Sequence, residues 1–268
     1  MCYLPRRYAT VKTYAPILNT KDFDQVFGGE NRNSLSLDAQ NLLRALETTA
    51  LPGTKIEIIQ EVKESIVEIK TSEYAYTGPF FMDLRFLLPQ EKEPISRVCK
   101  LPSIPAILKT LQTLVGMQYI WGGNCPSIPE MLTFYPPKNP LEDSIKNIWT
   151  LSGFDCSGLI YYATNGFTPR NTSSWISWGK GIPIEGLLID QILPLLQPLD
   201  ALVWKGHVIF ILDSLHTIES RVGHGVVLYK IKQRLEEILY QEQRKPKNAW
   251  EEQRPCFLMR RWHPDLLT

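Results

Sequence analysis

Residues 54–62, TKIEIIQEV, set Ile56 and Ile58 between charged neighbours and continue through Gln60 and Val62. This is the period-two pattern of a strand with one face in a core. SIVEIKTSEYAY (65–76) continues in the same manner, and LPGT (51–54) is a turn opening the first of these strands. Over SLDAQNLLRALETT (36–49) the period changes: Leu42, Leu43 and Leu46 share one helical face, and Ser36 is an N-cap residue. Residues 10–95 therefore read as a β-rich module with one helical insertion. Short strands broken by turns predict a small barrel.

LPQEKEPISRVCKLPSIP (88–105) holds four prolines and many charges, which limits regular structure and marks a linker, placed at 96–105. AILKTLQTLVGM (106–117) then spaces Ile107, Leu108, Leu111 and Val115 as a helix does. Residues 125–152 carry five prolines and one short amphipathic patch, and read as a long surface excursion. Strand patterns return in DALVWKGHVIFILDS, HTIESR, GVVLYKI and CFLMRRW. Between the last two, the charged run KQRLEEILYQEQRKPKNAWEEQRP reads as a solvated helix face and loop.

A net charge of +1 with interspersed signs points to neither nucleic acid nor an anionic membrane as partner. At 268 residues one domain or two unequal ones can bury a core. Five cysteines, at 2, 99, 125, 156 and 256, include no C-x-x-C pair and are expected to be reduced thiols. Four histidines form no H-x-x-x-H pair, so neither a metal nor a cofactor is expected. No apolar stretch is long enough to span a bilayer, and MCYLPRRYATVK lacks a secretory core. A cytoplasmic location is expected, or a periplasmic one if the signal is missing or unconventional.

The chemistry centres on GFDCSGLIYY (153–162). After Cys156, Leu159, Ile160, Ala163 and Phe167 keep helical spacing, and Asp155 is a suitable N-cap residue. A cysteine in a first turn meets free N–H groups and the positive end of the helix dipole, which favour a thiolate nucleophile. The same thiol could instead pack against a sheet. His207 opens the apolar strand HVIFIL after a Lys-Gly turn, at a rim where its ring can be both oriented and exposed. A hairpin centred on Asp213 places Glu219 directly opposite His207 and points His216 to the other face. Glu219 is then the acceptor that orients the imidazole.

In order, YIWGGN (119–124), FDCSGLI (154–160), LDALVW (199–204), GHVIFIL (206–212) and IESRVGHGVV (218–227) resemble the blocks of NlpC/P60 cysteine peptidases. Leu199 and Ile209 stand where that family commonly has glycine. The resemblance covers roughly residues 106–262 and implies an α+β, papain-like catalytic domain, 106–268. It implies catalysis by Cys156, His207 and Glu219, with Tyr119, Trp121, Asp155 and Ser157 binding substrate. Asp155 and Ser157 would hold the amino terminus of a peptide, and simple capping is compatible with that role. Much less distinctly, residues 1–95 resemble the SH3-like β-barrel domain that accompanies the family.

The implied reaction is cleavage of the γ-D-glutamyl–diaminopimelate bond in peptidoglycan stem peptides with a free N-terminal L-alanine. A monomer is expected. A peptidoglycan-binding module with an inert peptidase domain, or an acyltransferase or amidase on the same fold, stays open on the residues alone.

Overall fold

The computed structural model describes residues 7–267. The alternating stretch at 54–62 becomes a nine-residue strand in a seven-stranded antiparallel sheet. In chain order its strands are β1 (Tyr8–Val11), β2 (Ala15–Leu18), β3 (Leu46–Ala50), β4 (Lys55–Lys63), β5 (Ile66–Lys70), β6 (Phe80–Asp83) and β7 (Leu87–Gln90). In space they run β3-β2-β6-β5-β4-β1-β7. Among the described residues this path does not close into a barrel, because β3 and β7 each have a single neighbour. A side chain covers the free edge of β3 instead. Asn124 Oδ1 accepts from the Thr49 N–H at 2.9 Å and the Thr48 hydroxyl at 3.2 Å, and Asn124 Nδ2 donates to the Thr49 carbonyl at 2.9 Å. An edge satisfied in this way offers no ladder to another strand.

The helix expected over 36–49 is absent. The Asp38 carboxylate accepts from the N–H groups of Gln40 and Leu42 at 2.8 and 2.9 Å and binds Arg44 Nε at 2.6 Å. Asn41 takes the left-handed conformation, φ 59°. A side chain that satisfies local backbone donors competes with helical bonds, and β3 draws Leu46 into the core. The three leucines are buried as expected, but from a loop and a strand.

Residues 125–152 are not a surface excursion. They form helices Met131–Phe134 and Asp143–Trp149 and send Ile128, Met131, Tyr135, Trp149 and Leu151 into the core shared with the strands. Trp149 Nε1 donates to the Tyr135 carbonyl at 2.9 Å, and the Tyr135 hydroxyl donates to the buried Asp83 carboxylate at 2.6 Å. Arg85 grips the same carboxylate with Nε and Nη2. Burial and the Asp83 charge push the Tyr135 phenol well above its ordinary value, so it stays a donor. Prolines interrupt helices but leave apolar side chains free to pack, so proline content misreads this segment as exposed.

Three two-residue strands, β8 (Gln118–Tyr119), β9 (Asn124–Cys125) and β10 (Gly153–Phe154), form a small sheet in the order β8-β10-β9. Everything so far belongs to one unit, Met1–Cys99 with Gln118–Asp155. The second unit is Lys100–Met117 with Cys156–Thr268.

In the second unit α1 (Ile104–Thr113) packs on α2 (Cys156–Ala163), which lies against a mainly antiparallel sheet. Its strands are β11 (Lys180–Ile182), β12 (Ala201–Trp204), β13 (His207–Ile211), β14 (His216–Arg221), β15 (Gly225–Lys230), β16 (Lys245–Pro246) and β17 (Cys256–Arg261). The order is β11-β17-β12-β13-β14-β15, with β16 parallel to β17. A helix, α3 (Ile231–Glu236), covers one face. Ile231 and Leu235 pack with Leu202, Trp204, Ile209, Ile211, Phe257 and Met259. No helix among the described residues is long and apolar enough to cross a membrane. Cys99, Cys125, Cys156 and Cys256 are free thiols; Cys2 lies outside the described residues.

Candidate active site

Cys156 is the first residue of α2, with Asp155 immediately before it. The eight residues CSGLIYYA are buried except Tyr162, because α2 sits between α1 and the sheet. The Cys156 side chain is oriented inward, with Sγ 3.9 Å from the Gly206 carbonyl oxygen. Gly206 turns β12 into β13 at φ 99°, a left-handed value that favours glycine. Its N–H donates to the Thr172 hydroxyl at 3.1 Å, fixing the turn that presents His207.

His207 opens β13 directly opposite Trp204 on β12, with ring centroids 5.1 Å apart. Its Nε2 lies 2.5 Å from Glu219 Oε2, and Cys156 and Glu219 both favour the charged form of its ring. Glu219 occupies Nε2, leaving Nδ1 as the nitrogen that can exchange a proton with sulfur. The hairpin register differs from the one expected. Phe210 pairs with Ile218 and Ile211 with Thr217, which sets Glu219 across from Ile209 and diagonal to His207. The cause is the turn: Asp213 Oδ1 accepts from the N–H groups of Leu215 and His216, which centres the hairpin one residue later. A displacement of two keeps every side chain on its face, so the carboxylate still reaches the ring. His216 bonds Asp213 at the turn, away from this pair.

Charge in this cluster is set by competition between burial and partners. Burial opposes a charged His207, but hydrogen bonds and charge from Cys156 and Glu219 outweigh it and raise its pKa to about 9. Burial would raise the Glu219 carboxyl, yet His207 and Arg234 hold it down to about 2. Imidazolium and carboxylate are therefore both the neutral-pH forms.

Arg234 was not legible as part of this cluster. It sits inside the charged run read as solvated, yet its side chain is 1% exposed and bonds Glu219 Oε1 through Nε at 2.6 Å. A signal existed: Ile231, Leu235 and Ile238 mark a helical apolar face on which Arg234 also falls.

The other expected site residues fall as follows. Ser157 is buried and donates to the Arg170 carbonyl at 2.6 Å. Asp155 is buried, and its N–H donates to the Gly123 carbonyl at 2.8 Å in the first unit. Tyr119 is half-buried in β8 of that unit. Trp121 of the same unit is 37% exposed, and the Arg44 guanidinium stacks over its ring at 3.9 Å. Gly122 beside it has φ 69°, and a Cβ there would come within 2.7 Å of the Leu46 carbonyl oxygen. Leu199, where glycine is common in the resembling family, adopts φ 71° while fully buried. Ile209 is accommodated in the core under α3.

No protein-family model matches the chain, and no curated protein matches it. Among solved structures it is similar to an NlpC/P60 family protein from Bacillus cereus ATCC 10987. That match has a TM-score of 0.56 at 15% identity and covers 96% of this chain and 100% of the other. It is similar at a TM-score of 0.34 and 13% identity to NlpC1 from Trichomonas vaginalis, over 95% of this chain and 68% of that one. RipD from Mycobacterium tuberculosis, a non-catalytic NlpC/P60 domain protein with a peptidoglycan-binding function, matches 48% of this chain and 89% of its own. Its TM-score is 0.32 at 21% identity. The first likeness shows an NlpC/P60-like fold of mixed α and β content.

Proposed function

We propose that the chain is a cysteine peptidase that hydrolyses the γ-D-glutamyl–diaminopimelate bond of peptidoglycan stem peptides. One observation carries the reading: a cysteine opening a helix has its sulfur 3.9 Å from the carbonyl oxygen of Gly206, and the next residue, His207, has Nε2 2.5 Å from a buried carboxylate. Binding alone requires no such relay, which is why the inert-module reading is set aside. The substrate class rests on the resemblance of the sequence blocks.

The reactive form is the Cys156 thiolate paired with the His207 imidazolium. Sulfur attacks the glutamyl carbonyl, and the oxyanion is met by the Cys156 backbone N–H at the start of α2. Collapse breaks the C–N bond while His207 protonates the departing amine, leaving a thioester. Water, deprotonated by His207, attacks the thioester and releases the γ-carboxylate and the thiol. Glu219 keeps the imidazole oriented and balances its charge throughout. Asp155, next to the nucleophile in the chain, receives the ammonium of N-terminal L-alanine, and Ser157 takes part after leaving its bond to Arg170. The N-terminal strands are read as an SH3-like module in open form. Recycling of free stem peptides in the cytoplasm is the proposed setting.

Incubation of L-Ala-γ-D-Glu-diaminopimelate with the protein should release L-Ala-D-Glu by mass spectrometry. Cys156→Ala should abolish release without altering the circular dichroism spectrum, and intact sacculi should be cleaved poorly. Undiminished cleavage by Cys156→Ala would remove the assignment. Intact peptide that binds with measurable affinity would favour the binding module.

A further inference from the structure

We infer that Arg234 is a positioning residue for the Cys156–His207 pair, acting through Glu219, which it holds from the opposite side. This rests on the peptidase reading for its catalytic meaning, but its geometry stands apart from any substrate.

Glu219 comes from β14 and Arg234 from α3, so the carboxylate is fixed between two elements. Arg234 Nε donates to Oε1 at 2.6 Å and Nη2 to Oε2 at 3.3 Å, while His207 Nε2 meets Oε2 at 2.5 Å. A carboxylate bound through one oxygen can rotate about its last torsion. A guanidinium fork across both oxygens removes that freedom and aims Oε2 at the ring. The two side chains are 1% and 0% exposed, so water does not compete for these bonds. Arg234 is itself anchored: Nη1 lies 2.8 Å from Glu242 and 3.2 Å from Glu237, and Glu237 pairs with Arg221 at 2.9 Å. Charges along this line alternate from His207 through Glu219 and Arg234 to the two outer glutamates. A merely structural arginine would offset the buried Glu219 charge without controlling where Oε2 points. The two roles differ in what happens at His207.

The test is an NMR titration of the His207 ring in wild type, Arg234→Met, Arg234→Lys, Glu219→Gln and the Glu219→Gln/Arg234→Met double variant. Folded Arg234→Met should show the His207 midpoint lowered by about one pH unit or more, on the order of tenfold in proton affinity. Arg234→Lys should recover only part of it, since an ammonium lacks the fork. In the Glu219→Gln background, Arg234→Met should add no further change. With peptide substrate, Arg234→Met should lower kcat at nearly constant KM. An unchanged midpoint in folded Arg234→Met, or an equal drop in both backgrounds, overturns the inference. If Arg234→Met fails to fold, Arg234→Lys decides: its midpoint must lie below wild type. Should wild type cleave no peptide, the peptidase reading fails while the titration still judges Arg234.

Discussion

At the scale of single residues, two groups shifted in opposite directions set the pH behaviour. His207 has a folded pKa of about 9 against an ordinary 6.5. The stability it contributes is fully present below 6.5 and is lost as pH rises through about 9. Glu219 is depressed to about 2 from 4.5, so its contribution is present above 4.5 and is lost as pH falls toward 2. Both are complete between about pH 4.5 and 6.5. Glu219→Gln keeps shape but removes the charge that helps raise His207. We expect its His207 midpoint to fall below that of wild type. The peptidase reading adds a loss of kcat on the order of 10²–10⁴-fold, by analogy with removal of the orienting acid from a serine triad. The pH–activity profile of wild type should decline as pH passes about 9, where the imidazolium needed for leaving-group protonation disappears. An NMR titration beside that profile checks both, and an alkaline limb unmoved by Glu219→Gln would separate Glu219 from the chemistry.

At the scale of elements, segment 125–152 is the clearest test of what holds the first unit together. Trp149 is fully buried, bonds the Tyr135 carbonyl and packs with Met131 and Leu151. Trp149→Ala should destabilise the protein by about 3–5 kcal/mol in a denaturant titration, the range for truncating a large buried side chain. A surface decoration would lose less than about 0.5 kcal/mol on the same change. Tyr135→Phe should cost about 1–3 kcal/mol, because it removes one donor from a buried carboxylate that Arg85 still holds. Strand identity was readable for seven strands: β4, β5, β12, β13, β14, β15 and β17 match, to within a residue, stretches whose apolar patterning announces them, whereas β3 lies largely in the stretch read as a helix. The helix over 36–49 failed because Asp38 and Asn41 turn the chain before a second helical turn can form.

At the scale of the whole molecule, the first unit takes its core from two separated segments, Met1–Cys99 and Gln118–Asp155. A single cut in the proline-rich stretch therefore cannot release a complete unit. Residues 100–268 produced alone would carry Ile120, Ile128, Met131, Tyr135 and Trp149 without the strands they pack on. That fragment should aggregate or bind a hydrophobic dye, and the intact chain should do neither. A soluble fragment with cooperative unfolding would overturn this.

The sequence by itself determined the place of Cys156 at a helix start, the histidine opening a strand and the carboxylate on the same face. Those depend on local periodicity, and a strand's faces survive a register displaced by two. Tertiary structure alone decided three things. It put Arg234 behind Glu219, since the partner of a charged side chain lies outside its own helix. It set the open edge of β3 against Asn124, a pairing between residues 75 positions apart. It buried segment 125–152, because burial depends on which surfaces meet, and composition does not encode that.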